Sequence, residues 1–263
     1  MSKSNILVPI DFSEASHIAL GQSYNLAKHT NSTIVLLHVN DGSEKDPQGK
    51  LDALGQEVAV RSGLPAKTMI VKGNVFKQII KVAEQIEAAF IVTGYSSSDV
   101  VMKLLKRSPC PLITIKGKNH RNGCENIVLP LDLTKETRQK VVKAIELAKF
   151  FKATVRVISV RLIEDRKHEN KLIAYSHQVQ RYIKSKFVPC TIKTLEGTDI
   201  AKLVLDYAHE ENADLIMIMS QQEMTLKELF VGTTAQKIVK LSDVPVFSVR
   251  PTKGKSTGAT LGS

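Results

Sequence analysis

Two stretches of this chain repeat one another without a gap. Residues 5–39, NILVPIDFSEASHIALGQSYNLAKHTNSTIVLLHV, align with residues 126–160, NIVLPLDLTKETRQKVVKAIELAKFFKATVRVISV. Apolar positions match nearly throughout the alignment. The identical pairs are Asn5/Asn126, Pro9/Pro130, Asp11/Asp132, Leu26-Ala27-Lys28/Leu147-Ala148-Lys149, Thr33/Thr154 and Val39/Val160. A match of this length indicates a duplication, so the chain is predicted to hold two copies of one domain.

In each copy, short apolar runs alternate with amphipathic segments. The opening runs, ILVPI and IVLPL, are typical of buried strands. Asp-Phe-Ser or Asp-Leu-Thr then supplies an N-cap residue for a helix that ends near Lys28 or Lys149. Further helices are predicted at about 47–62 and about 166–186. This alternation predicts the α/β class, with a five-stranded, mostly parallel, doubly wound sheet in each copy.

The predicted boundaries follow the repeat. The first domain covers residues 1–116, a polar linker covers 117–125, and the second domain covers 126–251. Residues 252–263 are low in apolar content, and we expect them to be a disordered tail.

Composition narrows the functional classes. The net charge is +11, but it is spread evenly, with +5 on residues 1–121 and +6 on residues 122–263. Aromatic residues make up 5% of the chain and Trp is absent, so bases would find few stacking platforms and no specific nucleic-acid binding is expected. No apolar run approaches the length of a membrane span, and the first residues do not resemble a signal peptide. We therefore expect a cytoplasmic protein without membrane insertion.

Motifs for catalysis are missing from the sequence. It contains no phosphate-binding lysine loop, no nucleophile elbow and no zinc-protease helix. The seven histidines are scattered, and the three cysteines form no C-x-x-C pair. His38 closes a predicted strand near the cleft, but Ser159 takes its place in the second copy. We expect no enzyme activity, no metal site and no disulfide framework.

Several segments together resemble the universal stress protein family in its tandem two-domain form. They are the strand–Asp–helix openings, the turns at Gly73 and Gly197, DLIMIMS, and GTTAQKIVKLSDVPVFSV. The resemblance covers about residues 4–250. It implies a Rossmann-like fold related to the adenine-nucleotide alpha-hydrolases, in which some members bind ATP and others do not. It also implies a stress-response or regulatory role.

The phosphate loop that this resemblance implies is altered in the second copy. ATP-binding members carry G-x2-G-x9-G-[S/T], which falls here on Met219, Gln222 and Gly232-Thr233. The spacing is kept, but both early glycines are lost. The remaining candidate contacts are Pro130, Asp132, Gly232, Thr233 and Thr234, so ATP, AMP or another small metabolite is possible in the second domain only. The alternative for Gly232-Thr233-Thr234 is an ordinary helix start.

The first copy departs further from the family pattern. Nine residues are missing between Gly94 and Pro111, inside the implied phosphate loop, and Ser98-Asp99 replaces its last two positions. Because a carboxylate there would repel phosphate, we expect nucleotide binding to be lost. Asp11, Gly94, Ser98, Met219 and Gln222 are thus predicted vestiges. Asp11 and Asp132 each precede a helix, where a carboxylate is stabilised with or without a ligand.

The resemblance also bears on assembly. It implies that domains pair through their last strands, an isologous use of a sheet edge. Two copies in one chain could satisfy that edge internally, PLITI against VPVFSV, as an intramolecular pseudo-dimer. We therefore expect a compact monomer or a homodimer of such chains.

Overall fold

A computed structural model describes residues 4–42, 44–116, 123–134, 137–161, 166–220 and 229–251. The chain divides into two compact units. One comprises Met1–Gly123 with Val239–Ser248, and the other comprises Cys124–Ile238 with Val249–Ser263. The predicted linker and tail lie almost entirely outside the described residues.

Strands and helices alternate strictly in the first repeat. The strands are β1 (Asn5–Pro9), β2 (Thr33–Asn40), β3 (Ala66–Lys72), β4 (Ala88–Gly94) and β5 (Leu112–Ile115). The helices between them are α1 (Glu14–Thr30), α2 (Pro47–Ser62), α3 (Val75–Gln85) and α4 (Ser98–Arg107). The strand order is β3-β2-β1-β4-β5, and all four pairs are parallel.

The second repeat has the same succession of elements. Its strands are β6 (Asn126–Leu131), β7 (Thr154–Arg161), β8 (Cys190–Glu196), β9 (Leu215–Met219) and β10 (Val246–Val249). Its helices are α5 (Thr137–Phe151), α6 (Arg166–Ser185), α7 (Ile200–Glu210) and α8 (Leu229–Leu241). Within the second unit the order is β9-β6-β7-β8, again parallel. The predicted doubly wound α/β class is confirmed.

The central strands are apolar after their first residue. Ile6, Leu7 and Val8 are fully buried in β1, and Ile127, Val128 and Leu129 are fully buried in β6. A parallel strand is covered by helices on both faces, which explains the unbroken apolar runs in the sequence. The edge strands β3 and β8 are more exposed and carry more polar residues.

The last strand of the chain belongs to the first unit. β10 pairs with β5 in antiparallel register, with Val246 opposite Thr114 and Phe247 opposite Ile113. The predicted pairing of PLITI with VPVFSV is therefore confirmed. Phe247 is completely buried, and its ring lies 5.9 Å from that of Phe90. The compact units consequently differ from the predicted domain ranges at Val239–Ser248, because this segment packs with the first repeat.

No helix in the described part of the chain is long and apolar enough to cross a membrane. The helices predicted at about 47–62 and 166–186 correspond to α2 and α6. The first helix of each repeat ends at Thr30 or Phe151, two residues beyond the predicted end.

Candidate functional site

Each repeat has a cavity at the carboxyl end of its first strand. In the first unit the strand order reverses between β1 and β4, and in the second it reverses between β6 and β9. Open α/β sheets bind ligands at such points, because the loops leaving neighbouring strands diverge there. Asp11 and Asp132 follow β1 and β6, and each lines the cavity of its own repeat.

Asp11 is engaged by hydroxyl groups of its own repeat. Its Oδ1 accepts hydrogen bonds from the backbone N–H of Ser13 at 3.0 Å and from the Ser13 hydroxyl at 2.5 Å. Ser13 in turn caps α1. Burial alone would raise the pKa of Asp11, but hydrogen bonds from Ser13, Ser96 and Ser16 outweigh it and hold that pKa below its usual value. The carboxylate thus orders the start of α1.

Asp132 is held in the same way, by threonines instead of serines. Its Oδ1 accepts a 2.9 Å hydrogen bond from the Thr134 backbone N–H, and the hydroxyls of Thr134 and Thr137 also donate to it. These threonines align with Ser13 and Ser16 of the first repeat. In both repeats the aspartate therefore accepts hydrogen bonds from residues at the start of the following helix.

A buried lysine distinguishes the second repeat. Lys140 of α5 has a side chain only 3% exposed, and its Nζ lies 3.9 Å from Oδ2 of Asp132. The ammonium also donates a hydrogen bond to the Pro130 carbonyl. Burial lowers the pKa of Lys140, and the neighbouring carboxylate only partly offsets this. For Asp132, burial would raise the pKa, but Lys140 and the two threonines bring it below its usual value.

The first cavity has a volume of about 250 Å³. Its polar lining residues are Asp11, Ser16, Thr93, Ser96 and Ser97, and Leu37, Val39, Val75, Ile79 and Val101 are among its apolar ones. A cavity therefore persists although the phosphate loop is nine residues shorter than in the second repeat.

Gly94 lies where β4 passes the start of α1. A Cβ atom at this position would lie 2.3 Å from the carbonyl oxygen of Ala15. This glycine is thus needed for close packing of a strand against a helix, which accounts for it without a phosphate. Ser98 begins α4, and Ser97 occupies the N-cap position without making a side-chain cap. The hydroxyl of Ser98 accepts a hydrogen bond from Tyr95 at 3.2 Å.

The second cavity has a volume of about 210 Å³ and is predominantly aliphatic. Pro130, Asp132, Lys140, Met219 and Thr234 line it, and Leu131, Leu133, Val160, Leu172, Ile200, Val204, Ile218, Ala235 and Ile238 form the rest of its described wall. Met219 is 5% exposed. Its side chain thus forms part of the cavity wall at the position where the family pattern has a glycine.

The candidate Gly232-Thr233-Thr234 lies within α8, which spans Leu229–Leu241. The interpretation of these residues as an ordinary helix start needs correction, since the helix already includes the three residues before them. Gln222, the other predicted vestige in the second repeat, lies outside the described residues.

His38 is a buried structural residue. Its Nδ1 lies 2.8 Å from the Ile10 carbonyl oxygen, and its ring packs against Phe12 at 4.7 Å. Within the described part of the chain, Nε2 has no hydrogen-bond partner. The neighbouring residues Leu37 and Val39 line the first cavity and His38 does not, as alternation along a strand requires.

Sequence reasoning missed Lys140, although two signals pointed to it. The position aligns with Ala19 of the first repeat, which is fully buried in α1. It also lies on the apolar stripe of α5, with Val141, Ala144 and Ile145. A charged residue on such a stripe, opposite an alanine in the sister repeat, indicates a buried charge that needs a partner.

Comparison with known proteins is consistent with this architecture. A model of the universal stress protein family matches the chain twice, over residues 3–116 and 123–250. The chain belongs to the universal stress protein family. Among curated proteins, none matches the sequence.

Solved structures share the fold over both repeats. A universal stress protein from Archaeoglobus fulgidus DSM 4304 is similar with a TM-score of 0.79 and 20% identity, covering 95% of this chain and 97% of the other. A functionally unknown protein from Pseudomonas aeruginosa PAO1 has a TM-score of 0.73 and 20% identity, covering 95% and 93%. Within this universal stress protein fold, the Lys140–Asp132 pair and the buried Met219 distinguish the second cavity from the first.

Proposed function

We propose that this universal stress protein is a non-catalytic stress-response or regulatory protein whose nucleotide sites have degenerated. The observation that carries the proposal is that both aspartates already accept hydrogen bonds within their own repeat. Asp11 and Asp132 both accept hydrogen bonds from hydroxyls at the start of the following helix, and Asp132 also faces Lys140. A nucleoside would have to compete with these internal contacts.

The part of each cavity where the family pattern places the phosphates supports the same proposal. Phosphate oxygens must approach backbone N–H groups to about 2.7–3.2 Å. In the first repeat, Gly94 is packed against Ala15. In the second, the Met219 side chain fills the wall of the cavity. Losing two or three charge-assisted contacts, each worth about 1.5–3 kcal/mol, weakens binding by several powers of ten.

Calorimetry with ATP tests this proposal. We expect affinity in the millimolar range or weaker for the natural protein, and tighter binding for the double variant Met219→Gly with Gln222→Gly. Tight ATP binding by the natural protein, abolished by Gly232→Glu, would contradict the proposal. Phosphorus NMR of the purified protein provides a second measurement, because nucleotide retained through isolation would also contradict it.

A second candidate function is a sensor that binds ATP, AMP or another small metabolite in the second repeat. The observation that favours it is the cavity itself, which still brings Pro130, Asp132 and Thr234 together. Calorimetry should then give one site per chain, in the second repeat. Two equivalent sites, or a nucleotide bound against Gly94 and Ser98, would contradict this asymmetry.

A further inference from the structure

The two cavities occupy equivalent places but differ in chemistry. The first presents the Asp11 carboxylate together with hydroxyls of Ser16 and Ser96. The second presents the Asp132 carboxylate and the Lys140 ammonium among aliphatic side chains. A lysine thus lines the second cavity, whereas none of the described residues that line the first is a lysine.

The fold does not require a lysine at position 140. The first repeat forms the same helix and the same strand order with Ala19 at the aligned position, fully buried. Burying a lysine is costly unless its charge is paired, and replacing a buried ion pair by apolar groups is often neutral or stabilising. The lysine is therefore a feature of the second cavity rather than of the scaffold.

Charge balance restricts what the second cavity accepts. The Lys140 ammonium and the Asp132 carboxylate compensate one another across 3.9 Å. Among the described lining residues Lys140 and Asp132 are the only charged ones, so a charged ligand would add a charge that none of them compensates, at a cost of several kcal/mol. An uncharged ligand avoids this cost, and its apolar part would contact side chains such as Leu172, Val204 and Ile218.

The ammonium can also bind a ligand atom. It carries three N–H donors, of which one is directed to the Pro130 carbonyl. We propose that the second cavity binds an uncharged, largely apolar small molecule that bears one carbonyl group, whose oxygen accepts a hydrogen bond from Lys140. This inference rests on the second candidate function, metabolite binding in the second repeat, and names its ligand class.

Methyl NMR with three probes tests the inference. The full-length protein, labelled at Ile and Met methyl groups, is titrated with 2-octanone, octanoate and ATP. We expect 2-octanone to shift Ile200, Ile218 and Met219 and to leave Ile79 of the first cavity unchanged. Octanoate should bind more weakly than 2-octanone, since its carboxylate adds the unpaired charge.

Two variants separate the roles of charge and space. Lys140→Met keeps the length of the side chain and removes the ammonium, and should weaken 2-octanone binding about tenfold or more, as expected for a hydrogen bond to a charged group. Ala235→Leu fills part of the cavity, leaves the Lys140–Asp132 pair intact, and should abolish binding. Circular dichroism confirms that each variant folds.

The outcomes are distinct. Equal affinity of Lys140→Met and the natural protein, tighter binding of octanoate, or no shift at the cavity methyls would each overturn the inference. If 2-octanone fails and ATP also fails to bind, the inference is overturned and the proposal of degenerate nucleotide sites stands. If ATP binds tightly at Ile218 and Met219, the degenerate-site proposal is contradicted, whatever 2-octanone does.

Discussion

Lys140 and Asp132 form an ion pair in which only the acid reaches solvent. The lysine side chain is 3% exposed and the aspartate side chain 27% exposed. Asp132 also keeps hydrogen bonds from Thr134 and Thr137. Removing the lysine leaves a carboxylate that is still hydrogen-bonded and partly hydrated, whereas removing the carboxylate leaves a buried ammonium without its counter-ion.

The pair therefore predicts unequal effects of two substitutions. Asp132→Asn should lower the free energy of unfolding by about 3–5 kcal/mol, the usual effect of leaving a buried charge without its partner. Lys140→Met should change it by about 1 kcal/mol or less, because an apolar side chain suits the aliphatic cavity. Urea denaturation of both variants measures the difference.

Asp11→Asn is the matched control for this comparison. Asp11 has the same place after its strand and the same kind of hydroxyl partners, but Ala19 stands where the second repeat has Lys140. Its substitution should cost about 1 kcal/mol, the value of an ordinary hydrogen bond. Equal effects of Asp11→Asn and Asp132→Asn would show that Lys140 does not depend on Asp132.

The stability difference should also depend on pH. The pKa of Asp132 is lowered in the folded protein, so its contribution is complete above the unfolded pKa of about 3.9 and is lost as pH falls through the folded value. The gap between the natural protein and Asp132→Asn should shrink as the pH falls below about 4. Thermal unfolding across this range measures it, and a gap that persists to about pH 2 would contradict the assignment.

Lys140 should determine how the free energy of unfolding depends on pH in the alkaline range. Its pKa is lowered in the folded state, so the unfolded chain binds the proton more readily and stability rises with pH toward the unfolded value of about 10.4. This rise should begin at lower pH in Asp132→Asn, because the variant lacks the carboxylate that favours the charged lysine. Lys140→Met should show no such rise in stability, because it lacks the titrating ammonium.

Gly94 provides a prediction about packing. Gly94→Ala would bring a Cβ to 2.3 Å from the Ala15 carbonyl oxygen, so strand and helix must separate. We expect a loss of about 1–3 kcal/mol in unfolding free energy. Gly21→Ala is the control, since a Cβ there meets nothing within 4 Å and should stabilise α1 by about 0.5–1 kcal/mol. If Gly94→Ala were as stable as the natural protein, the packing of β4 against α1 would not require a glycine at this position.

The pairing of β5 with β10 predicts the behaviour of the first repeat alone. Residues 1–116 lack β10, so the edge of β5 that pairs with Val246 and Phe247 is open. We expect this fragment to self-associate in sedimentation experiments, because an open apolar edge recruits another strand. A peptide of residues 243–250 should reduce the association, and the same peptide with Phe247→Lys should not. A fragment that stays monomeric would contradict the prediction that the open edge of β5 drives self-association.

The fold followed from sequence because its signals are local and occur twice. The apolar runs of β1 and β6 and the capping residue Ser13 recur at the same spacing, so each repeat supports the interpretation of the other. The strand pairing of β10 was predicted from the resemblance to the universal stress proteins, which implies that domains pair through their last strands. The membership of Val239–Ser248 in the first unit was not, because it depends on contacts far apart in sequence.

The candidate site was harder to predict. Asp11 and Asp132 could be placed, because residues after parallel strands meet at one edge of the sheet. The ion-pair partner of Asp132 could not be predicted in this way. Lys140 lies one turn into a helix, and only a position-by-position comparison of the two repeats distinguishes it from an ordinary exposed lysine. The wall formed by Met219 and Thr234 likewise depends on the course of α8 relative to β9.

The position of β10 at the end of the chain affects how the protein is made. On a ribosome, β5 is complete at Ile115, but Val246 emerges only after the second repeat has been translated. At about 5–20 residues per second, the first unit waits roughly ten seconds for its final strand. During translation it therefore carries an unprotected edge at which neighbouring nascent chains on the same messenger could pair, so chaperones that shield strand edges should matter most at this stage.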